Sequence, residues 1–357
     1  MDVIKMFKPR NLYNNDEYGY VNMKYIMDNC PRTFLWLIGA RGIGKTYGAV
    51  DYSIERDTPA IFMRRTQQQC DTISTYEMCQ AKPNFNDRNM DYAVQSISKG
   101  ITGIYTEFDE DGKPCGIPLF VNCALSTVYN IRGFDASDYD IIWYDECIPE
   151  AHARPIKNEG EALLNAYETI NRNRELKGKA PVKFVGMSNS NRLDNALFAE
   201  LNMITACDKQ FSKGYSVYDN PDRDMMVINF QNSPVSEKKS ETALYKFAKG
   251  MSYGDMALKN EFRDYKSKSK SFNVKDLTPM ANIGELTFYR LKSCDSFYIS
   301  AFYMQAPLRF SNDEKGLQRF QMSDLCRTLI LLYMADEIFF ENYNCEYLMK
   351  FYCGKAK

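Results

Sequence analysis

Gly39-Ala40-Arg41-Gly42-Ile43-Gly44-Lys45-Thr46 is the stretch on which the reading of this chain turns. The apolar run Phe34-Leu35-Trp36-Leu37-Ile38 enters it as a strand, and Tyr47-Gly48-Ala49-Val50 leaves it in a register that continues as a helix. That is the strand, loop and helix setting of a phosphate-binding loop. Gly39, Gly42 and Gly44 let the backbone close around a polyphosphate, with consecutive N–H groups turned inward and the positive end of the next helix behind them. Ala40, Arg41 and Ile43 complete that cradle. Lys45 reaches the β and γ phosphates and the Thr46 hydroxyl becomes a magnesium ligand, so ATP and Mg2+ are the expected substrate and cofactor. The alternative is a Gly-rich turn before an ordinary helix, and the spacing together with the flanking strand argues against it.

The chain has 357 residues, more than one hydrophobic core usually organises, so about two domains are expected. Apolar residues make up 45% and charged residues 25%, an ordinary globular composition. Lys plus Arg totals 45 against 46 for Asp plus Glu. That balance does not bear on nucleic-acid binding, because gripping a phosphate backbone takes local basic loops and not a basic whole. Eleven cysteines without a C-x-x-C pair, and His152 as the single histidine, speak for reduced thiols and against a structural zinc site. The N-terminal Met1-Asp2-Val3-Ile4-Lys5 lacks a signal peptide's apolar region, and the run Leu329–Ala335 is too short to span a bilayer. We read that run as a buried helix and expect no membrane partner.

Outward from the loop, residues 1–32 read as a solvated leader ending in a short helix near Met23–Asn29, with an aromatic that stacks on adenine as the other reading. Ala60–Arg65 is a short strand ending in two arginines, one facing the nucleotide or a neighbouring subunit, or else both in surface ion pairs. Gln67–Cys79 reads as a helix, and Ile101–Leu125 as β-structure turning at Asp109-Glu110-Asp111-Gly112. About a hundred residues beyond the loop, a longer gap than compact nucleotide kinases need, comes Tyr139-Asp140-Ile141-Ile142-Trp143-Tyr144-Asp145-Glu146. A buried strand there delivers two acids to its carboxyl end, where the loop also opens. Asp145 holds magnesium, through water, and Glu146 polarises the water that attacks the γ phosphate. A strand capped by two solvated acids is the plainer alternative; the doublet's pairing with the loop favours hydrolysis. Val182–Met187 is the neighbouring strand, and at its tip Asn189 is placed to hydrogen-bond the γ phosphate or the water. Glu161–Arg174 reads as a helix ending in Asn171-Arg172-Asn173-Arg174-Glu175, whose basic residues either answer the helix dipole or serve a neighbouring subunit's γ phosphate.

The loop motif, Asp145-Glu146, Arg172-Asn173-Arg174-Glu175 and Ser188-Asn189, in that order over about residues 33–195, resemble the DNA-packaging ATPases of the φ29-type tailed phages. The similarity returns weakly at Tyr253-Gly254-Asp255-Met256. The resemblance implies an α/β P-loop NTPase of the ASCE class, in the FtsK/HerA-like group, with a mostly parallel sheet. It implies a ring motor, a pentamer in that family, that hydrolyses ATP to move double-stranded DNA into a procapsid through its portal protein. A scaffold RNA is a further candidate partner. The expected place of action is the host cytoplasm, transiently at the portal vertex. Arg172 is similar by position to the family's trans-acting arginine finger. Arg41 resembles the residue that couples a switching glutamate to catalysis. The chain departs from the pattern in its longer hairpin region and in Thr46, where the related loop carries serine; threonine keeps the metal-binding hydroxyl. We take the loop Cys147–Gly160, with His152, Arg154 and Lys157, as the candidate DNA grip, Arg154 and Lys157 contacting phosphates. The competing function class is a P-loop switch or assembly protein that binds ATP, hydrolyses it slowly and translocates nothing. Glu146 separates the two, since a pure binding module has no use for it.

The expected partition is an ATPase domain over 1–200, a helical linker over 201–265 and a C-terminal α+β docking domain over 266–357. Glu241–Phe262 reads as one or two short helices broken near Gly250–Gly254, and Lys266–Lys270 as a basic linker that either stays solvated or touches phosphates. Thr287–Leu291 and Phe297–Tyr303 read as strands, with helix from Ser323 onward. The resemblance implies a ribonuclease H-type fold here without nuclease activity; Asp295, Asp313 and Asp336 are the acids that leave this open.

Overall fold

The computed structural model describes residues 7–127, 134–149, 156–189, 193–230, 233–247, 270–292 and 296–355. In order come α1 (Met23–Asn29), β1 (Phe34–Gly39), α2 (Lys45–Glu55), β2 (Ala60–Arg64), α3 (Gln67–Ile73), α4 (Lys82–Asp87), β3 (Ala93–Ser98), β4 (Ile101–Tyr105), β5 (Phe120–Ala124), β6 (Ile141–Asp145), α5 (Glu159–Asn171) and β7 (Lys183–Ser188). There follow α6 (Ala196–Glu200), α7 (Ile204–Phe211), β8 (Val217–Asn220), β9 (Met225–Phe230), α8 (Pro234–Lys239) and α9 (Ala243–Phe247). Last come β10 (Leu277–Ile283), β11 (Leu286–Leu291), β12 (Phe297–Ser300), β13 (Leu308–Phe310), α10 (Glu314–Gln321), α11 (Asp324–Met334), β14 (Ile338–Phe340) and α12 (Tyr343–Tyr352).

The chain divides into two compact units. The first holds residues 1–156, 162–191 and 214–261. Its nine strands run β3-β4-β5-β2-β6-β7-β1-β9-β8. From β5 to β9 all neighbours are parallel, and β3, β4 and β8 join antiparallel at the edges. The mostly parallel α/β sheet expected from the sequence is therefore the observed one. Strands covered on both faces read as unbroken apolar runs, and β5 and β6 are buried along their whole lengths. β7 lies between the loop strand β1 and the acid strand β6, so the loop and both acids open at the same carboxyl edge. Trp36 stands opposite Gly186, where a Cβ would come within 2.5 Å of the indole, so glycine there lets β1 carry tryptophan. On β6 the buried Trp143 donates Nε1–H to Ser53 of α2 at 3.0 Å, which ties the loop helix to the acid strand.

Several expectations change here. The leader is anchored, with Leu12, Val21 and Met23 buried and Val21 N–H donating to the Ile43 carbonyl at 2.9 Å. α3 stops at Ile73 and does not reach Cys79. β4 and β5 pair antiparallel as a hairpin, and the Asp109 carboxylate accepts from the N–H groups of Asp111 and Lys113 at 3.0 and 2.8 Å, so the expected turn is present. Of Glu241–Phe262, α9 is described; residues 248–262, Lys266–Ser269 and the match at 253–256 lie outside the described residues.

The second unit holds residues 157–161, 192–213 and 262–357. The expected partition at 200 and 265 differs from this grouping, because β8 and β9 pair into the first sheet while α6 and α7 belong with the C-terminal residues. Glu285 shows why: its carboxylate accepts the N–H groups of Ile204 and Thr205, both at 3.0 Å, and so caps α7. The sheet here is β13-β10-β11-β12-β14, an antiparallel meander of β10 to β12 with a parallel strand at each edge. The expected α+β character holds, but β14 interrupts the helix foreseen from Ser323 onward. The run at 329–335 is half covered: Leu329 is buried, whereas Leu331 and Met334 are exposed on α11. Asp313 is committed to capping α10, its Oδ1 accepting Gly316 N–H at 2.7 Å, and Asp295 lies outside the described residues. Among the described residues, no helix is long and apolar enough to cross a membrane.

Candidate active site

β1 ends at Gly39 and α2 begins at Lys45, so residues 40–44 form the turn between them. Gly42 and Gly44 have φ of 66° and 92°, left-handed values that a side chain resists. Gly44 also admits Tyr20, whose ring would lie 3.2 Å from a Cβ there. Lys45 is 5% exposed, and its ammonium donates to the Gly39 and Ala40 carbonyls at 2.9 Å each. Burial pushes that ammonium down to about 7, with Asp145 holding it up and Lys239 pressing it lower.

Thr46 Oγ1 donates to Asp145 Oδ2 at 3.0 Å, which joins the loop helix to the acid strand. The same oxygen accepts Arg64 Nη2 at 2.9 Å, and Arg64 Nη1 reaches Glu146 Oε2 at 2.9 Å. Gln69 Nε2 lies 3.4 Å from that Glu146 oxygen. Arg64 comes from the end of β2 and Gln69 from the first turn of α3, where Thr66 and Gln69 form a capping box that fixes the Gln69 side chain. Glu146 has φ of 54°, uncommon outside glycine, and its N–H donates to Asp145 Oδ1 at 3.0 Å. Strain of this kind persists where the surroundings over-determine a conformation. Two oxygen donors, Thr46 Oγ1 and Asp145 Oδ2, converge as a hard cation such as magnesium requires, so the residues present fit that metal.

Four of the residues singled out from sequence are thus brought together: Lys45, Thr46, Asp145 and Glu146. Asn189 follows the last residue of β7, the strand between those of the loop and the acids. Arg41 is exposed on the loop, its carbonyl accepting Lys239 Nζ at 2.6 Å. Of Arg64 and Arg65, Arg64 is the one that meets the acids, in a nearly buried ion pair and not a surface one.

Arg172 is not part of this cluster. Its guanidinium donates to the Phe134 carbonyl at 2.6 Å and the Thr169 carbonyl at 3.3 Å, and pairs with Asp135 at 3.4 Å. α5 ends at Asn171, so Arg172 and Arg174 lie past the helix and not in its last turn. Arg172 and Asn173 take left-handed φ of 44° and 58°, a turn that breaks the helix. Arg174 donates to the Tyr139 carbonyl at 3.0 Å and pairs with Asp140. Lys157 is 82% exposed along its side chain and pairs with Glu314 at 2.9 Å, while Arg154 and His152 lie outside the described residues.

Sequence reasoning left Arg64 open and passed over Gln69 and Lys239. The Thr66–Gln69 spacing is a legible cap signal; nothing local marks Lys239. Beside the loop lies a cavity of about 650 Å³, lined among others by Tyr20, Asn22, Gly42, Gly44, Tyr47 and Tyr52.

Residues 16–275, well over half of the chain, match the family described as Podovirus DNA encapsidation protein (Gp16). The DNA packaging protein of Bacillus phage phi29 is 30% identical over 240 residues, 65% of this chain and 62% of that protein. The match thus spans less than two thirds of that relative's length. Among solved structures, that titled the bacteriophage Phi-29 viral genome packaging motor assembly superposes with a TM-score of 0.60 at 19% identity, over 95% of this chain and 99% of that chain. The Phi-28 gp11 DNA packaging motor superposes with a TM-score of 0.59 at 17% identity, over 96% and 99% of the two chains. At those identities the likeness speaks to the fold, whereas the family match covers the loop, both acids and the sheet that aligns them. The chain therefore belongs to the Podovirus Gp16 family of DNA encapsidation proteins.

Proposed function

We propose that the chain is an ATP hydrolase that drives double-stranded DNA into a preformed procapsid through its portal. The observation that carries this reading is the meeting of Thr46 with Asp145 at 3.0 Å, with Glu146 beside them at the mouth of the phosphate-binding loop. The backbone of Gly39 to Thr46 holds the polyphosphate and Lys45 binds its β and γ oxygens. Thr46 Oγ1 and Asp145 would hold magnesium, which when bound neutralises charge on those oxygens. Glu146 orients the attacking water and takes its proton. Asn189 contacts the γ phosphate or that water, and Arg41 couples a switching glutamate to catalysis, as the family resemblance suggests. The cavity beside Gly44 offers room for the nucleoside, with Tyr20 and Tyr47 as ring surfaces.

The same reading supplies the partners: a ring of copies, pentameric as the family resemblance suggests, the portal protein, double-stranded DNA and a scaffold RNA, at the procapsid vertex in the host cytoplasm. Arg172 acts on the neighbouring copy's γ phosphate, for which it must leave Phe134 and Asp135. Arg154 and Lys157 contact DNA phosphates. The second unit docks on the portal or on nucleic acid, as a ribonuclease H-type fold without nuclease activity.

One observation favours a slow basal rate. Arg64 Nη1 occupies the Glu146 oxygen at 2.9 Å, so Arg64 must release Glu146 before a water can take that place. The deciding experiment measures ATP turnover of the purified protein alone, with double-stranded DNA, and with DNA plus empty procapsids. Turnover that rises in that order supports the motor. ATP binding with slow turnover under all three conditions would leave the switch-protein reading instead.

A further inference from the structure

α8 reaches the phosphate-binding loop from a part of the chain that no motif marks. Pro234 at its start fills the space over Gly19, where a Cβ would lie 2.6 Å from the proline ring. Lys238 donates to the Glu17 carbonyl and sits 5.4 Å from the centre of the Tyr18 ring. Lys239 goes to the loop, where its ammonium donates to the Arg41 carbonyl at 2.6 Å. A Cβ on Gly42 would come within 2.3 Å of that nitrogen, so glycine at this position leaves the room Lys239 occupies.

Three successive carbonyls of one loop are thus covered by two ammonium groups, Gly39 and Ala40 by Lys45 and Arg41 by Lys239. Burial lowers the pKa of Lys239. Among the described residues, Lys239 has no carboxylate partner. The buried Lys45 and the half-buried Lys239 carry like charges on neutral carbonyls of one loop, and an anion seated there relieves both at once.

We propose that Lys239 is a second phosphate-binding lysine of this site, its ammonium passing from the Arg41 carbonyl to an oxygen of the bound nucleotide's phosphate chain. This rests on the loop being a nucleotide site. It also makes α8 sensitive to occupancy, because the residue that touches phosphate is the last of that helix.

The test is binding of ATP and of ADP, by calorimetry, to the full-length wild type, Lys239→Met, Lys239→Arg and Lys45→Ala. A hydrogen bond to a charged group sets the scale, so Lys239→Met should weaken both nucleotides by about tenfold to a hundredfold. Lys239→Arg should recover most of that loss. Without nucleotide, Lys239→Met should melt no lower than wild type, because a repelling charge has been removed; a lysine that only propped α8 would give a lower midpoint. Wild-type affinities in Lys239→Met, alongside lost binding in Lys45→Ala, would overturn the role of Lys239 alone. Lys45→Ala binding as tightly as wild type would overturn the nucleotide site itself.

Discussion

Arg64→Ala is the substitution that most directly tests the acid cluster. Arg64 has a side chain only 11% exposed and makes two charge-assisted hydrogen bonds at 2.9 Å, to Asp145 and Glu146. Each such bond contributes about 1.5–3 kcal/mol when desolvated. The Glu146 side chain is 39% exposed, so its share falls to about 1 kcal/mol or less through solvent screening. Asp145 is 4% exposed, and without Arg64 it loses its direct ion pair and keeps the Thr46 hydroxyl, the Glu146 N–H and the nearby Lys45 charge. Breaking a buried pair costs about 3–5 kcal/mol, and we expect a loss of that size. At about 2–4 °C per kcal/mol for a unit of this size, the midpoint should fall by roughly 6–20 °C. Arg64→Lys, which reaches one acid and not both, should lose about half as much. The assay is thermal unfolding followed by near-ultraviolet circular dichroism, first in chelator and then with rising magnesium. Because Thr46 and Asp145 would hold the metal, magnesium should restore charge balance to the variant and narrow its gap from wild type. An unchanged midpoint in chelator would refute the clasp. A gap indifferent to magnesium would remove Asp145 from metal binding.

Other substitutions probe the remaining roles. Lys45→Ala should weaken nucleotide binding and turnover together, whereas Glu146→Gln should keep ATP bound and slow hydrolysis by about 10²–10⁴-fold; normal turnover in Glu146→Gln would move the general base elsewhere. Arg172→Ala should lose about 10³–10⁵ in rate if the arginine acts between copies, and mixing it with Glu146→Gln should partly restore activity. No recovery, with both variants assembled, would confine Arg172 to its own chain. Neutralising Arg154 and Lys157 together should weaken DNA binding equally across sequences and flatten its salt dependence, and an unchanged salt slope would make the segment a surface connection.

What the sequence alone determined is local in kind. The glycine spacing of residues 39–46, the apolar strand before it, the two acids after Tyr144 and the short helix at Met23–Asn29 are patterns of neighbours along the chain, and each is found where it was read. Strand and helix periodicity, and a loop whose dihedral angles only glycine tolerates, leave such marks because their causes span a few residues. Tertiary structure decided the rest. β9 joins the first sheet beside β1, α7 is capped by Glu285, and β14 divides the C-terminal helices, each by pairing with a partner distant in sequence. Arg64 and Gln69 meet Glu146, and Lys239 meets the loop, only because the topology brings the ends of β2, α3 and α8 to one edge. A single arginine or lysine carries no period of its own. Its sequence neighbours say what element it sits on, but which carboxylate or carbonyl it faces is set by strand order and helix placement, and those follow from burying the whole apolar surface at once.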